Sequence, residues 1–360
     1  IKEELLEVKE KYGEERRTEI IKDFTTLSIE DMIAEEEMVL TITHNGYIKR
    51  TNLNTYRSQR RGGRGVQGAT SRDEDFVEHL FVANTHSYIL FFTDKGKCYW
   101  VKVYDIPEGG RAAKGRAIVN LIGCEPDEKV SAFISVKEFN DDHFVVMATE
   151  KGIVKKTKLS AYSNPRKKGI YAVEIRDGDK LIEARVSTGD NDILLGTRNG
   201  KSIRFSEEQI RPSGRKTMGV KGITLSSKDD RLVGMLLIKR EGTTVLVATE
   251  KGFGKRTEIS QYRAQKRGGK GVLTMKTTEK VGKMVTIKEV VDKDDLMIIT
   301  NQGVLIRQPV SQIRAIGRAT QGVKLIKLGE GTLVSSITRI MSEEDDGDEN
   351  NSAEPEGSSE

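Results

Sequence analysis

Six short segments of the 360-residue chain align without a gap: VLTITHNG at 39–46, ILFFTDKG at 89–96, VVMATEKG at 145–152, ILLGTRNG at 193–200, VLVATEKG at 245–252 and LMIITNQG at 296–303. Each opens on two apolar residues and carries threonine three places before its last glycine. These glycines follow one another at intervals of 50, 56, 48, 52 and 51 residues. A β-rich unit of this length cannot bury its own apolar face, so copies must stack and share a core. An apolar run ending in Asn-Gly, Lys-Gly or Gln-Gly reads as a strand entering a hairpin, with the glycine at φ > 0 in a two-residue turn. The residues that follow, such as YIKRT, IVKKT and FGKRT, form the return strand.

A second glycine recurs as Gly65, Gly115, Gly169, Gly219, Gly271 and Gly322. It stands 19 residues after the first in five repeats and 17 in the third. The tenth position after each hairpin glycine is bulky: Tyr56, Ile106, Tyr162, Ile210, Tyr262 and Ile313. These read as packing residues. No helical periodicity separates the copies, so the spacing predicts an all-β fold of radial or solenoid units. Radial closure also limits exposed strand edges.

The two ends depart from the pattern. Ile1, Leu5, Val8 and Tyr12 stand at 4-3-4 spacing among Glu and Lys, the seam of a short coiled coil or helical hairpin. Fewer than two heptads do not hold alone. Because the chain lacks an initiator methionine, residues 1–20 read as the end of an upstream domain, and residues 21–342 as the repeat body. Residues 343–360 hold nine acids and no Lys or Arg, the composition of a disordered tail.

Residues 1–40 hold thirteen acids against six bases, so the body carries more than the whole net charge of +5. A basic body suits a polyanion partner, although a lysine-rich soluble surface gives the same total. No apolar run approaches the ~18 residues of a membrane span, and the charged first residues are no signal peptide. Two cysteines, Cys98 and Cys124, are too few for a disulfide framework, which makes a reducing cytosol the default compartment.

Enzyme-like motifs fail on context. Gly63, Gly65 and Gly68 form a GxGxxG with no βαβ unit around it. GTRNGKS at 196–202 is one residue short of a Walker loop and lies on a hairpin, where no helix N-terminus holds a phosphate. His44, His79, His86 and His143 are scattered without ligand spacing. The chain reads as non-catalytic by itself.

Cations in register remain. The fourth residue after the hairpin glycine is Arg50, Trp100, Lys156, Arg204, Arg256 or Arg307, basic in five of six repeats. Lys49, Lys155 and Lys255 precede three of them. Equal offsets along a strand face the same side of every blade, so these residues are expected to form an outward belt. The second loops add Arg60, Arg61, Arg64, Arg111, Lys114, Arg116, Arg166, Lys167, Lys168, Arg215, Lys216, Lys266, Arg267, Lys270, Arg314 and Arg318. Glycines beside these arginines let backbone N–H groups approach phosphate, and arginine grips it bidentately. No base-reading helix is present, so recognition would follow the backbone and its deformability.

QRRGGRG at 59–65 is similar to the gyrase A box, consensus QRRGGKG, with Arg64 in place of the usual lysine. YGEERRTEI at 12–20 resembles the segment leaving the coiled-coil arm of a breakage-reunion domain. Over essentially its whole length the chain resembles the C-terminal DNA-wrapping domains of bacterial DNA gyrase A proteins, members of the type IIA topoisomerase family. The resemblance implies a six-bladed β-pinwheel, a propeller-like closed ring of four-stranded blades. Its basic rim would wrap double-stranded DNA in a right-handed sense, so that ATP-dependent strand passage by the holoenzyme yields negative supercoils. The box, matching Gln59, Arg60, Arg61, Gly62, Gly63, Arg64 and Gly65, would join the first blade to the last.

In that family the catalytic tyrosine lies upstream and the ATPase in the gyrase B protein. The resemblance therefore implies no cofactor for this segment, with Mg2+ and ATP used elsewhere in an A2B2 heterotetramer. It also implies a cytoplasmic, nucleoid-associated setting and a segment monomeric by itself. The acidic tail modulates wrapping in some members, and Glu343 to Glu360 are expected to compete for the rim. A near-copy of the box, QKRGGKG at 265–271, reads as an ordinary DNA-contacting loop. Two alternatives are the C-terminal domain of a topoisomerase IV A-type subunit, disfavoured by the intact box and six repeats, and a propeller-type protein-interaction scaffold, which needs no cations in register.

Overall fold

The computed structural model describes residues 1–14, 18, 30–43, 45–52, 77–110, 113–125, 127–238, 242–302 and 305–340. The box at 59–65, Tyr56, Arg111 and the tail at 343–360 lie outside the described residues. The chain divides into two units, Ile1–Ala34 and Glu35–Glu360. In the first, α1 (Lys2–Tyr12) is the helix that the 4-3-4 spacing predicts. Its apolar residues Leu5, Val8 and Tyr12 are all exposed.

The second unit is a succession of antiparallel sheets. The first repeat supplies β1 (Glu37–Thr43), β2 (Tyr47–Asn52) and β3 (Val77–Asn84). The second supplies β4 (Tyr88–Thr93), β5 (Lys97–Lys102), β6 (Arg116–Ala117), a short helix α2 (Ile118–Ile122) and β7 (Val130–Val136). The third supplies β8 (Phe144–Thr149), β9 (Ile153–Lys158), β10 (Ile170–Tyr171) and β11 (Leu181–Ser187). The fourth supplies β12 (Asp192–Thr197), β13 (Lys201–Ser206), β14 (Val220–Lys221) and β15 (Leu232–Ile238). The fifth and sixth follow suit with β16 (Thr244–Thr249), β17 (Phe253–Glu258), β18 (Val272–Leu273), β19 (Met284–Val290), β20 (Asp295–Thr300), β21 (Leu305–Pro309), β22 (Val323–Lys324) and β23 (Val334–Ile340).

Strand order reveals an exchange between repeats. Each sheet takes three strands from one repeat and its fourth, a two-residue strand, from the next: β3-β1-β2-β6, β7-β4-β5-β10, β11-β8-β9-β14, β15-β12-β13-β18 and β19-β16-β17-β22. Among the described residues the sixth sheet has three strands, β21-β20-β23. One edge strand of each sheet lies against its counterpart in the next. β7 packs on β11, β11 on β15, β15 on β19, β19 on β23, and β23 returns to β3. Phe81 of β3 stacks on Phe133 of β7 with ring centroids 4.9 Å apart. The six sheets thus form the predicted six-bladed propeller.

The cores sit between successive blades. Ile89 and Phe91 of β4 face the first blade's core, while Leu90 and Phe92 face the third's. Val145 and Met147 of β8 pack backward, and Val146 and Ala148 forward. A central strand buried on both faces must be apolar at every position, which explains the unbroken hydrophobic runs. Ile106, Tyr162, Ile210, Tyr262 and Ile313 are all buried, as the packing reading requires.

The recurring threonine has a local cause. Thr43, Thr93, Thr149, Thr197 and Thr249 each accept, at Oγ1, the N–H of the residue four places on. The glycine N–H donates to the threonine carbonyl at 2.9–3.0 Å. The hairpin glycine is therefore the fourth residue of a threonine-led turn, at φ +76° in Gly46, rather than a central residue of a two-residue turn. This is the geometry of a longer hairpin loop closed by a left-handed residue.

Candidate nucleic-acid interface

After the return strand of the second to sixth repeats the chain makes a short 3-10 turn and crosses to the preceding sheet. Segments 107–117, 163–171, 211–221, 263–273 and 314–324 end in the exchanged strands β6, β10, β14, β18 and β22, so they form the outer edge of the blades. The last four of these segments contain no Asp or Glu. Glu108, in the first, pairs with Arg50 at 3.4 Å.

Among the described residues the second-loop glycines make the crossing possible. Gly271 has φ +69°, and a Cβ there would stand 2.4 Å from the Ser202 carbonyl oxygen. It lets the chain approach the neighbouring blade closely.

Of the predicted loop cations, Lys114, Arg116, Arg166, Lys167, Lys168, Lys216, Lys266, Lys270 and Arg314 are exposed on this edge. Lys114 Nζ sits 4.1 Å from the Tyr47 ring centroid. Arg211, Lys221, Arg263 and Lys324 are exposed on the same segments, outside the set that the basic loops mark in the sequence. The acid-free composition of the segments was the signal that marks them.

Arg215, Arg267 and Arg318 are half-buried. Each stands four residues before its second glycine, a register shared by Arg61 and Arg111. The Arg267 backbone N–H donates to Gln209 Oε1 at 2.9 Å, its Nε to the Gln209 carbonyl at 3.0 Å and its Nη1 to the Lys221 carbonyl at 3.2 Å. One repeat later, the Arg318 N–H donates to Gln261 Oε1 at 3.3 Å and Nη1 to the Leu273 carbonyl at 3.1 Å. The near-box loop 265–271 is therefore stitched to the fourth repeat through Arg267, while Lys266 and Lys270 face outward.

The expected outward belt at the fourth position is corrected by the structure. Arg50 Nε donates to the Ile106 carbonyl at 2.7 Å and Arg256 Nε to that of Ile313 at 2.6 Å, with Arg256 also paired to Asp292. Arg204 Nη1 reaches the carbonyls of Ile259 and Tyr262 at 3.3 Å while its Nη2 pairs with Asp192 at 2.6 Å. Lys156, 4% exposed, pairs with the fully buried Glu207 at 2.9 Å and donates to the Gly189 carbonyl. The contacts to Ile106, Glu207, Ile259, Tyr262 and Ile313 cross to the next repeat, and those to Gly189 and Asp292 reach the linker that leads to it. A long side chain that must satisfy a buried carbonyl turns inward, whatever the pleat alone allows. Arg307 alone in this series is exposed, paired with Asp295 at 2.5 Å.

Lys49, Lys155 and Lys255 are buried as well. Lys49 Nζ donates to the Gly110 carbonyl at 3.1 Å. Lys155 Nζ donates to the carbonyls of Ala172, at 2.7 Å, and Arg215. Lys255 Nζ donates to those of Gly317, at 2.6 Å, and Arg318. Burial, with Arg215 adding repulsion, pushes the Lys155 ammonium down to about 7. Burial and then Arg318 push Lys255 down to about 8, and burial also lowers Lys49. Among the described residues no group of three or more His, Cys, Asp or Glu is placed to hold a metal ion. No helix among them is long and apolar enough to cross a membrane.

Comparison with known proteins agrees with this architecture. The family described as DNA gyrase C-terminal domain, beta-propeller, matches residues 37–84, 87–137, 143–188, 191–239, 243–290 and 294–340, one match per repeat. The DNA gyrase A protein of Staphylococcus epidermidis is 48% identical over 348 residues, covering 96% of this chain and 39% of the relative. The Clostridium acetobutylicum protein of the same name is 47% identical over 367 residues, covering 98% and 44%. The chain thus spans less than half the length of these relatives.

Among solved structures, the C-terminal domain of a DNA topoisomerase IV superposes with a TM-score of 0.75 at 26% identity, over 86% of this chain and 95% of that one. A DNA gyrase A C-terminal domain superposes with a TM-score of 0.68 at 24% identity, over 85% and 100%. With six repeats matched in register and six blades built from them, the chain belongs to the family of DNA gyrase C-terminal β-propeller domains.

Proposed function

We propose that the outer edge of the blades binds double-stranded DNA through its phosphates, without sequence specificity, and curves the duplex around it. The observation that carries this reading is the run of outermost segments rich in Lys and Arg, four of the five without a single acid. Bending a 20–30 bp site by 40–90° costs roughly 1–6 kcal/mol, and a fuller turn more. Only contacts spread along the edge offset that cost. The wrap is right-handed in this reading, and in the whole protein it presents DNA for ATP-dependent strand passage that leaves negative supercoils. The partners are then an upstream breakage-reunion domain and the gyrase B protein in an A2B2 assembly, on the nucleoid in the cytoplasm.

The box at 59–65 has a place in this reading. Five second loops each donate a strand to the preceding sheet, and the sixth sheet has three strands among the described residues. We assign the first repeat's loop to that edge, joining the first blade to the last. The acidic residues 343–360 compete with DNA for the edge.

The test is a titration of the 360-residue chain into a doubly labelled linear duplex of about 100 bp at several salt concentrations. Binding should bring the duplex ends together and weaken with salt at a slope of about −0.9 per phosphate engaged. Binding with unchanged end-to-end distance favours a scaffold that touches DNA without wrapping it. The superposition on a topoisomerase IV domain favours a second reading, an A-type subunit of that enzyme. The intact box at 59–65 and the six repeats argue against it.

A further inference from the structure

Lys155 and Lys255 occupy one register, three residues after the hairpin glycines Gly152 and Gly252. Both are essentially fully buried. Neither has a carboxylate within salt-bridge distance among the described residues. Their partners are backbone carbonyls: Lys155 bridges Ala172 of its own repeat and Arg215 of the next repeat's crossing loop, and Lys255 holds Gly317 and Arg318, both of the next repeat's crossing loop. Those loops display exposed Arg211 and Lys216 in one case and Arg314 in the other. The alternate repeats carry Tyr99, Ile203 and Ile306 at this position, so no ammonium stands there. The fifth repeat's loop is held instead by Arg267 on the Gln209 and Lys221 carbonyls.

A bare ammonium without a counter-ion is an expensive way to hold a loop. A methionine of similar length would fill the space without the charge. Building on the DNA-binding reading above, we propose that Lys155 and Lys255 are positioning residues of the outer edge. Each ammonium grips the following repeat's loop, Lys155 by the Arg215 carbonyl and Lys255 by those of Gly317 and Arg318, and a phosphate chain lying on that loop tightens the grip.

The charges around the two lysines set the direction of the coupling. Lys155 faces Arg215 from the crossing loop, which disfavours its charge, and Glu174 beyond β10, which favours it; Lys255 faces Arg318. With Lys155 held near 7 and Lys255 near 8, a fraction of each is neutral at physiological pH. Phosphates on the loop offset the arginine charge and draw a proton onto each amine. Binding is then accompanied by proton uptake and weakens as pH rises.

The experiment compares the 360-residue chain with its Lys155→Met, Lys255→Met and doubly substituted forms. Each is titrated with a 100-bp duplex at fixed ionic strength from pH 6.5 to 9. The substituted proteins should remain folded and bind roughly 3- to 10-fold more weakly at pH 6.5, the cost of ordering a loop on binding. Their affinity should also change less with pH than that of the unsubstituted chain. Equal affinity and an equal pH profile in all forms overturn the proposal while leaving DNA binding intact. Should a substituted form fail to fold, calorimetry of the unsubstituted chain at pH 7.5 in buffers of different ionisation enthalpy decides. Net proton uptake supports the proposal, and zero uptake or release overturns it. If the unsubstituted chain binds no duplex at all, the functional reading itself falls.

Discussion

The indole Nε1–H of Trp100 donates to the carbonyl oxygen of Tyr162, 2.8 Å away in the next repeat. Arg50, Arg204 and Arg256 hold the corresponding position in their repeats and reach the corresponding carbonyls, Ile106, Tyr262 and Ile313. A neutral donor and three charged ones make the same contact. What the position requires is an N–H at the end of a long side chain, and its charge is secondary. Trp100→Phe should therefore destabilise the chain by about 1–3 kcal/mol, the cost of an orphaned buried carbonyl. Arg256→Met should cost at least as much. Urea unfolding curves measure both.

The exposed loop residues should behave in the opposite way. Replacing Arg166, Lys167 and Lys168 together with alanine removes no buried contact, so the unfolding midpoint should stay within about 0.5 kcal/mol. Duplex affinity should fall on every sequence tested, and the salt dependence should become shallower by about one per lost phosphate contact. Electrophoretic shift at three salt concentrations reads both quantities.

Two glycines at positive φ should respond unequally to a methyl group. At Gly46 nothing lies within 4 Å of a new Cβ, so Gly46→Ala carries only the backbone penalty of about 1–2 kcal/mol. At Gly271 the new Cβ meets the Ser202 carbonyl at 2.4 Å. Gly271→Ala should cost more and should loosen β18 from β13. Hydrogen exchange at Val272 and Leu273 would report that loosening directly.

The buried lysines give stability a pH dependence of known sign. In the unfolded chain both amines return to the ordinary lysine value of 10.5, against about 7 for Lys155 and about 8 for Lys255 in the fold. Between those limits the unfolded state binds more protons, so stability rises with pH. The penalty is complete below about pH 7 and is relieved toward pH 10.5. The urea midpoint should rise from pH 7 to 9, and by less in Lys155→Met. Affinity for DNA should move the other way over the same interval.

The repeats and the hairpins are legible in the sequence because strand periodicity and turn chemistry are local properties. Thr43 and its five counterparts mark every blade for that reason. The exchange of strands between repeats is not local, and nothing around Val220 or Val272 announces that its partner lies in another repeat. The fourth position after the hairpin glycine is basic in five of six repeats, and that register suggests an outward face. The carbonyls that draw Arg50, Lys156 and Arg256 inward belong to residues more than thirty positions away, so the direction could not be read from spacing. The outer-edge cations were found in part, since Lys167 and Lys270 lie in conspicuous basic loops. Arg211 and Lys324 stand outside those loops and gain meaning only once the crossing segment is seen to form the edge.

The central claim is that cations on successive blades oblige a duplex to curl around the outer edge with a fixed hand. Relaxing a closed circular DNA with a type I topoisomerase in the presence of saturating 360-residue chain, then removing protein, tests it most directly. The expected product is positively supercoiled, with the number of trapped turns rising with protein. Fully relaxed product, or negatively supercoiled product, would contradict it.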